Sequence, residues 1–281
     1  MRLTVGVLLA AAVTRLQHAG AAATPQLEAA VLLAHVLGLP RARLSSHPEA
    51  LVDEALAQRY RELLERRAAG EPLAYLTGAR EFWSLPLAVG PAVLVPRPET
   101  ELLVERALLL CDSATARIAD LGTGSGAIAL ALASERPHWQ VTATDLSGAA
   151  LAVARDNALR LGLARVDFRL GSWFEPLAGE RFDLLLSNPP YVGSHEPELA
   201  GLPHEPSLAL TPGSDALGCL LLLARGAPRH LREHGWLLLE HGASQGAAVR
   251  GALVAAGFAH VRSHRDLAGY ERMTEGQHGQ I

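Results

Sequence analysis

The chain has 281 residues, of which 49% are hydrophobic, and a formal charge of −4. That length suits one large domain or two ordinary ones, and the apolar content is ample for a buried core, so a disordered or fibrous chain is excluded. Neither half is a polycation, which argues against a surface built to grip nucleic-acid phosphates, and the two cysteines, Cys111 and Cys219, lack the spacing of a disulfide framework or a zinc site and suggest a reducing cytoplasm.

The first apolar stretch, residues 3–13 behind Arg2, has the texture of an export signal. Arg15, Gln17 and His18 interrupt it before any cleavage-like site and it continues into a helical pattern, so we read it as a first core helix. No segment has the run of apolar residues needed to span a bilayer. Residues 26–37 carry Leu27, Ala30, Val31, Ala34 and Leu37 at spacings of three and four, with Gly38 and Pro40 as stop signals. Residues 52–67 repeat the theme: Val52, Leu56, Tyr60 and Leu63 form a stripe with Leu64 beside it, and Glu54, Gln58, Arg61 and Glu65 face the other way. These segments predict a small all-helical N-terminal domain over residues 1–78.

Between 71 and 98 the texture turns to β-branched, aromatic and proline residues. The runs 82–89 and 93–95, separated by Gly90-Pro91, predict a β-hairpin linker over residues 79–95. Apolar runs and helical segments then alternate, with strands at 118–121, 141–143, 166–170 and 184–186 and helices at 127–132 and 149–161. Such alternation implies a parallel sheet covered by helices on both faces, an α/β Rossmann-like fold over residues 96–281. The last third adds helical sequence at 217–231, interrupted near Gly226 and Pro228, a strand at 236–240, a helix at 243–256, and a closing strand pair at 260–267 and 270–274.

Two sites on this frame carry chemistry. The first is the turn Asp120-Leu-Gly-Thr-Gly-Ser-Gly126, directly after the first strand of the sheet. Gly122, Gly124 and Gly126 let the backbone turn sharply and approach a ligand, with Thr123 and Ser125 between them. Glycine turns alone are weak evidence. Asp145, at the end of the next strand, is the discriminating residue, because a carboxylate there can accept both ribose hydroxyls of an adenosine ligand. A pyrophosphate needs open amides at the helix start, whereas S-adenosylmethionine presents a sulfonium and an amino group, and Asp120 suits that positive charge. Trp173, after the third strand, is placed to stack on the adenine.

The second site is Asn188-Pro-Pro-Tyr191, at the end of the fourth strand and so on the same sheet edge as Gly122 and Asp145. An amide or aryl NH2 is a poor nucleophile because its lone pair is delocalised. The Asn188 side-chain oxygen and the Pro189 carbonyl can each accept one N–H and turn the nitrogen lone pair toward a methyl donor. Pro190 restrains Pro189 and both fix φ, so the acceptors are held before substrate arrives. Tyr191 offers a flat face over the planar group. The pair of sites reads as a class I S-adenosylmethionine-dependent methyltransferase acting on an amide or exocyclic amine nitrogen, with S-adenosylhomocysteine as product and no metal required.

With these residues in place, the sequence resembles the protein-(glutamine-N5) methyltransferases that modify the Gly-Gly-Gln loop of peptide chain release factors. The likeness extends to Glu71-Pro-Leu-Ala-Tyr-Leu-Thr-Gly78 with Glu81-Phe82, to Val95-Pro-Arg-Pro-Glu-Thr-Glu101, to Glu205-Pro206 and to Asp266-Leu-Ala-Gly-Tyr-Glu-Arg272. The resemblance implies that S-adenosylmethionine lies on Gly122 to Gly126, Asp145, Trp173 and Asn188, and the substrate glutamine on Asn188, Pro189, Pro190 and Tyr191. It implies a class 1 release factor as partner, with the helical domain helping to dock it, and a monomer that binds neither nucleic acid nor membrane. The chain departs from the family pattern at Ala216, His241 and Glu271. The alternative reading is a nucleic-acid amine methyltransferase of the adenine-N6 type, which the net charge and the lack of an evident target-recognition insertion disfavour.

Overall fold

The computed structural model describes residues 3–279 and divides after Ala79 into two units. In the first unit, the ambiguous apolar stretch is a helix, α1 (Val5–Ala19), that buries Val5, Leu8, Ala12 and Leu16 along one face and is capped by the Thr4 hydroxyl. It packs with α2 (Pro25–Leu37), α3 (Arg41–Ser46), α4 (Glu54–Ala68) and α5 (Leu73–Thr77) around a shared core. Asp53 caps α4 by accepting the Ala55 N–H at 2.8 Å, an interaction worth about 1 kcal/mol. The α4 stripe lies where its spacing predicts, with Tyr60, Leu63 and Leu64 buried and Leu56 half-buried, and Tyr60 donates its hydroxyl to the Ala29 carbonyl at 3.0 Å.

The α2 face differs from the expected one. Ala29, Leu32, Leu33 and Val36 point inward together with Ala34 of the expected stripe, while Leu27 is exposed and Ala30, Val31 and Leu37 are only half-buried. This helix is apolar almost all round, so several three-and-four spacings fit, and packing against α1 and α4 decides among them. The short helices α3 and α5, of 6 and 5 residues, fall below the length at which periodicity shows.

The second unit begins with a two-stranded hairpin, β1 (Ala79–Phe82) and β2 (Leu85–Ala88). Its turn is Trp83-Ser84, both at positive φ (50° and 60°), the signs of a type I′ turn. A turn does form at Gly90-Pro91, where the Val93 N–H donates to the Gly90 carbonyl at 3.1 Å, but it does not join two strands: the expected strand at 93–95 is absent, and residues 94–97 belong to no helix or strand. Phe82 and Leu87 anchor the hairpin in the larger core, and Asn157 bonds both the N–H and the carbonyl of Ala88. A 3-10 turn (Pro98–Thr100) leads into α6 (Glu101–Leu110), a helix the strand-and-helix alternation does not include.

Then follow β3 (Arg117–Leu121), α7 (Ala127–Glu135), β4 (Gln140–Asp145), α8 (Gly148–Arg160), β5 (Asp167–Leu170), β6 (Phe182–Ser187), α9 (Pro197–Ala200), α10 (Ser207–Leu210), α11 (Gly218–Gly226), β7 (Leu231–Glu240), α12 (Gly246–Ala255), β8 (Phe258–Arg265) and β9 (Glu271–His278). The helical stretch at 217–231 ends at Gly226 with a 3-10 turn over Pro228, and β7 starts five residues earlier than its apolar run suggests, with a register shift opposite Leu184. The seven strands are ordered β5-β4-β3-β6-β7-β9-β8, parallel except for β9 against both neighbours. Alternate residues of the central strands face opposite cores. Ile118, Leu184, Leu186 and Leu238 meet α6 and α7 on one side, and Ala119, Leu121, Leu185 and Leu237 meet α11 and α12 on the other.

Candidate active site

From β3 the chain winds outward through β4 to β5, and β6 begins the other half of the sheet on the opposite side of β3. The strand order reverses between β3 and β6, and a doubly wound sheet opens a crevice at the carboxyl ends of such a pair. Asp120 is in register with Ala143 of β4 and Leu186 of β6, so the three strands end level. Gly122, Asp145 and Asn188, far apart in sequence, therefore emerge at one edge. The Ser187 hydroxyl donates to the Leu121 carbonyl at 2.6 Å and ties the two strand ends together.

The glycine turn is folded against β4: the N–H groups of Gly122 and Thr123 both donate to the Thr144 carbonyl at 2.9 Å. Gly122 sits at φ 79° under Trp173, where a Cβ would come within 3.1 Å of the indole, and Gly126 sits at φ 86° where a Cβ would press on Leu130 at 3.0 Å. Asp145 bridges two loops, accepting from the Gly124 N–H and from the Ser147 N–H at 2.8 Å each. Burial raises the Asp145 pKa, and the N–H donors of Ser147 and Gly124 oppose that shift.

Asp120 is fully buried behind the turn. Its Oδ2 accepts from the Thr123 hydroxyl at 2.6 Å and the Ala129 N–H at 3.2 Å, and its Oδ1 has no partner among the described residues. Burial pushes its pKa up to about 7 against the pull of the two donors, with Asp145 nearby adding to the push.

The Asn-Pro-Pro-Tyr corner is tied down from several directions. The Asn188 amide nitrogen donates to the Thr100 hydroxyl at 3.1 Å, which leaves its oxygen as the free acceptor. Tyr191 turns its hydroxyl inward to the Glu240 carboxylate at 3.1 Å, and its carbonyl accepts from the Gln245 amide at 2.9 Å. Glu240 ends β7 at 1% exposure, and burial pushes its pKa up to about 7 despite the Thr100 and Tyr191 hydroxyls that favour its charge.

A cavity of about 340 Å³ opens over this edge. Gly122, Gly124, Ser125, Asp145, Trp173, Asn188 and Pro190 line it, whereas Asp120, Thr123, Gly126, Pro189 and Tyr191 are not among the lining residues. The opposite wall comes from residues to which motif reading assigns no role: Val93, Pro96, Arg97 and Thr100 on one side and Pro206, Leu208 and Ala209 on the other. Glu205 clasps these two segments by accepting from the Val95 N–H at 3.0 Å and from Arg97 at 2.5 Å. The Pro-Arg-Pro and Glu-Pro motifs, which the family resemblance singles out without assigning them a role, are thus two halves of one clasp. Among the described residues, no cluster of three or more histidines, cysteines or carboxylates is arranged to hold a metal, and no helix is long and apolar enough to cross a membrane.

A sheet of this order, closed by an antiparallel last pair and open at its switch point, defines the class as a Rossmann-like methyltransferase. A family model described as the methyltransferase small domain matches residues 98–200, and one described as the PrmC N-terminal domain matches residues 8–78. A release factor glutamine methyltransferase from Xylella fastidiosa is 50% identical over 273 residues, which is 96% of each chain. One from Vibrio cholerae is 46% identical over 281 residues, covering 99% of this chain and 98% of the relative. The chain belongs to the release factor glutamine methyltransferase family. Among solved structures, a methyltransferase from Pyrococcus furiosus superposes with a TM-score of 0.52 over 80% of this chain and 100% of that one, and at 19% identity it speaks for the fold alone.

Proposed function

We propose that this chain transfers a methyl group from S-adenosylmethionine to the side-chain amide nitrogen of the glutamine in the Gly-Gly-Gln loop of class 1 peptide chain release factors. The residues present suit that donor. The cavity is floored by a glycine turn open above Gly124, has a carboxylate at Asp145 and an indole at Trp173, and is backed by a buried acid, Asp120, with one unpaired oxygen. Gly122 to Gly126, Asp145, Trp173 and Asn188 would hold it, and when bound it supplies the electrophilic methyl carbon.

The remaining chemistry belongs to the chain. Asn188 Oδ1 and the Pro189 carbonyl accept the two N–H bonds of the glutamine amide, turn its lone pair toward the methyl carbon and favour the positive charge that develops on nitrogen. Alignment in a near-attack arrangement supplies the larger part of the rate, roughly 7–11 kcal/mol for well-oriented partners. Pro190 and Tyr191 hold the corner, and Tyr191 does so through Glu240. The observation that carries the reading is that Asn188, its amide held against the Thr100 hydroxyl, lines the same cavity as the glycine turn, Asp145 and Trp173.

The net charge of −4 favours a protein partner over nucleic acid. We place residues 1–78 as the part that docks the release factor, 79–95 as the hairpin link, 96–281 as the catalytic part, and the enzyme in the cytoplasm as a monomer. Incubation with labelled S-adenosylmethionine tests this: label should enter a release factor, not the same factor with its loop glutamine changed to alanine, and not bare DNA or RNA. Equal labelling of the glutamine-less factor, or label on nucleic acid alone, overturns the proposal.

A further inference from the structure

Asp266-Leu-Ala-Gly-Tyr-Glu-Arg272 is one of the segments that carry the family likeness, yet none of its residues lines the cavity. It forms the turn between β8 and β9. Because β9 runs antiparallel to β7, this turn lies at the carboxyl edge of the sheet, the edge that bears Asp145 and Asn188. Met273 of β9 is in register with Glu240, whose carboxylate receives the Tyr191 hydroxyl at 3.1 Å, and the His241 N–H donates to the Arg272 carbonyl at 2.9 Å. Two strand spacings of about 4.8 Å separate β6 from β9, so the base of the turn stands about 10 Å across the sheet from the strand end that leads into Asn188.

The polar members of the segment are spent on its shape. Asp266 Oδ1 accepts from the Tyr270 N–H at 2.9 Å and Oδ2 from Arg272 at 3.2 Å, while the Asp266 N–H donates to the Tyr270 carbonyl at 2.9 Å. The Gly269 N–H donates to the Asp266 carbonyl at 3.0 Å with φ at 87°, in the left-handed region that glycine adopts without strain. Arg265 donates to the Gly269 carbonyl at 2.6 Å, and Arg250 of α12 holds Glu271 at 2.8 Å.

What this braced tip presents to solvent is apolar. Leu267 is fully exposed and Tyr270 is 57% exposed. One exposed leucine calls for no explanation, since much of any protein surface is apolar. Two such side chains on a turn fixed by this many bonds, beside the corner where a protein substrate must deliver its glutamine, form a contact organised in advance of binding. A stable protein contact covers about 800 Å² on each partner, and a round patch of that area reaches about 16 Å from its centre. Centred on a glutamine at Asn188, the patch takes in this turn as well as Leu208, which is 55% exposed on the cavity wall.

Resting on the function proposed above, we propose that the turn between β8 and β9 is a docking surface for the release factor, on which Leu267 and Tyr270 pack against apolar surface beside the factor's glutamine loop.

The test uses the full chain as Leu267→Ser and Tyr270→Ser variants. Leu109→Ser is the control, since Leu109 is 64% exposed near the C-terminal end of α6, which leads to the amino edge of the sheet. The kcat/KM for the release factor should fall about 5- to 30-fold in each tip variant, the usual loss when a side chain that matters to an interface is truncated, and should not change in the control. The loss should lie in KM for the factor. Both kcat at saturating factor and the KM for S-adenosylmethionine should stay within about twofold, because the tip touches neither the donor nor the reacting amide. Calorimetric affinity for a factor with its loop glutamine changed to alanine should fall by the same ratio, since the contact lies outside the cavity. Tip variants that keep the wild-type KM for the factor overturn the inference. So does a fall in kcat alone, which makes the turn a brace for Tyr191, and so does a changed sedimentation coefficient with KM unmoved, which gives the tip to a second copy of this chain. A wild-type enzyme that leaves the release factor unlabelled refutes the proposed function, whereas a labelled factor with unmoved KM in the tip variants refutes this inference alone.

Discussion

Asp120 lies at 0% exposure with its pKa pushed up to about 7 from an ordinary 3.8, and burial is the leading cause. Removing this acid as Asp120→Asn makes the cost of its charge measurable. The unfolded chain releases the proton near 3.8 and the folded one keeps it to about 7. Across that window the folded state holds one more proton, so stability falls as pH rises, by about 1.4 kcal/mol per unit. The stabilisation is fully present below the unfolded value and is gone once the pH has passed through the folded one. Asparagine has no proton to lose. Its oxygen can stand where Oδ2 receives Thr123 and Ala129, and its nitrogen falls at the unpartnered Oδ1 position, an unmet donor that costs about 1–3 kcal/mol at every pH.

The unfolding free energy of the wild type minus that of Asp120→Asn should therefore drop by about 3 kcal/mol between about pH 5 and pH 8. Glu240, whose pKa is also raised, titrates in both proteins and cancels in the difference. The four tryptophans, Trp83, Trp139, Trp173 and Trp236, all lie in the unit spanning residues 80–281, so urea unfolding followed by tryptophan fluorescence reports on the unit that holds Asp120. A difference that stays level across this range would mean that Asp120 is ionised throughout, and the argument for a dry acid behind the glycine turn would fail.

Three further outcomes follow from the site. Asn188→Ala should lower kcat by about 10²- to 10³-fold, the usual loss when a preorganised group aimed at developing charge is removed, while the calorimetric Kd for S-adenosylmethionine rises far less, because the glycine turn, Asp145 and Trp173 still hold the donor; a loss of binding as large as the loss of turnover would mean the residue serves the donor alone. Asp145→Ala frees the Gly124 and Ser147 N–H groups and removes the proposed ribose acceptor, so affinity for S-adenosylmethionine should fall by about 1.5–3 kcal/mol with kcat at saturation near that of the wild type. Arg97→Ala leaves Glu205, at 2% side-chain exposure, with only the Val95 N–H; because Arg97 itself is 34% exposed, the expected loss is about 1–2 kcal/mol, below the range for fully buried pairs. It should appear as faster thermolysin cleavage within residues 192–217, and unchanged cleavage would show that the clasp does not hold that segment.

The features legible in the sequence are those whose signals are local. A strand followed by a glycine turn, a carboxylate at the next strand end and a doubled proline after an asparagine are each written within a few consecutive residues. Their meeting follows from the ordinary winding of parallel strands. Thr100 and Glu240 were not legible as parts of the site, because Thr100 is brought to Asn188 across 88 residues of chain and Glu240 to Tyr191 across 49, through sheet register and the docking of α6. The hairpin turn was hidden for a different reason. A type I′ turn usually shows itself by Asn or Gly, and here Trp83 and Ser84 hold positive φ, with the Trp83 N–H bound by Glu101 at 2.8 Å and its indole N–H by Glu135 at 2.7 Å. The β-like residues at 93–95 have an apolar texture because they form and back the cavity wall.

The fixed corner also answers a question of energy. A carboxamide nitrogen gains little from any one hydrogen bond, since a single bond exchanged with water contributes about 1 kcal/mol. The gain available from alignment is several times larger, but only if the acceptors do not move when the substrate arrives. The stretch from Ser187 to Tyr191 is held by Leu121 of β3, Thr100 before α6, Glu240 at the end of β7 and Gln245 before α12, four supports from four separate parts of the chain. Two prolines remove backbone freedom between the first pair of supports and the last. No local turn motif could resist displacement in every direction, and spreading the supports over the sheet and its helices makes the rigidity of the core a property of the two acceptor oxygens.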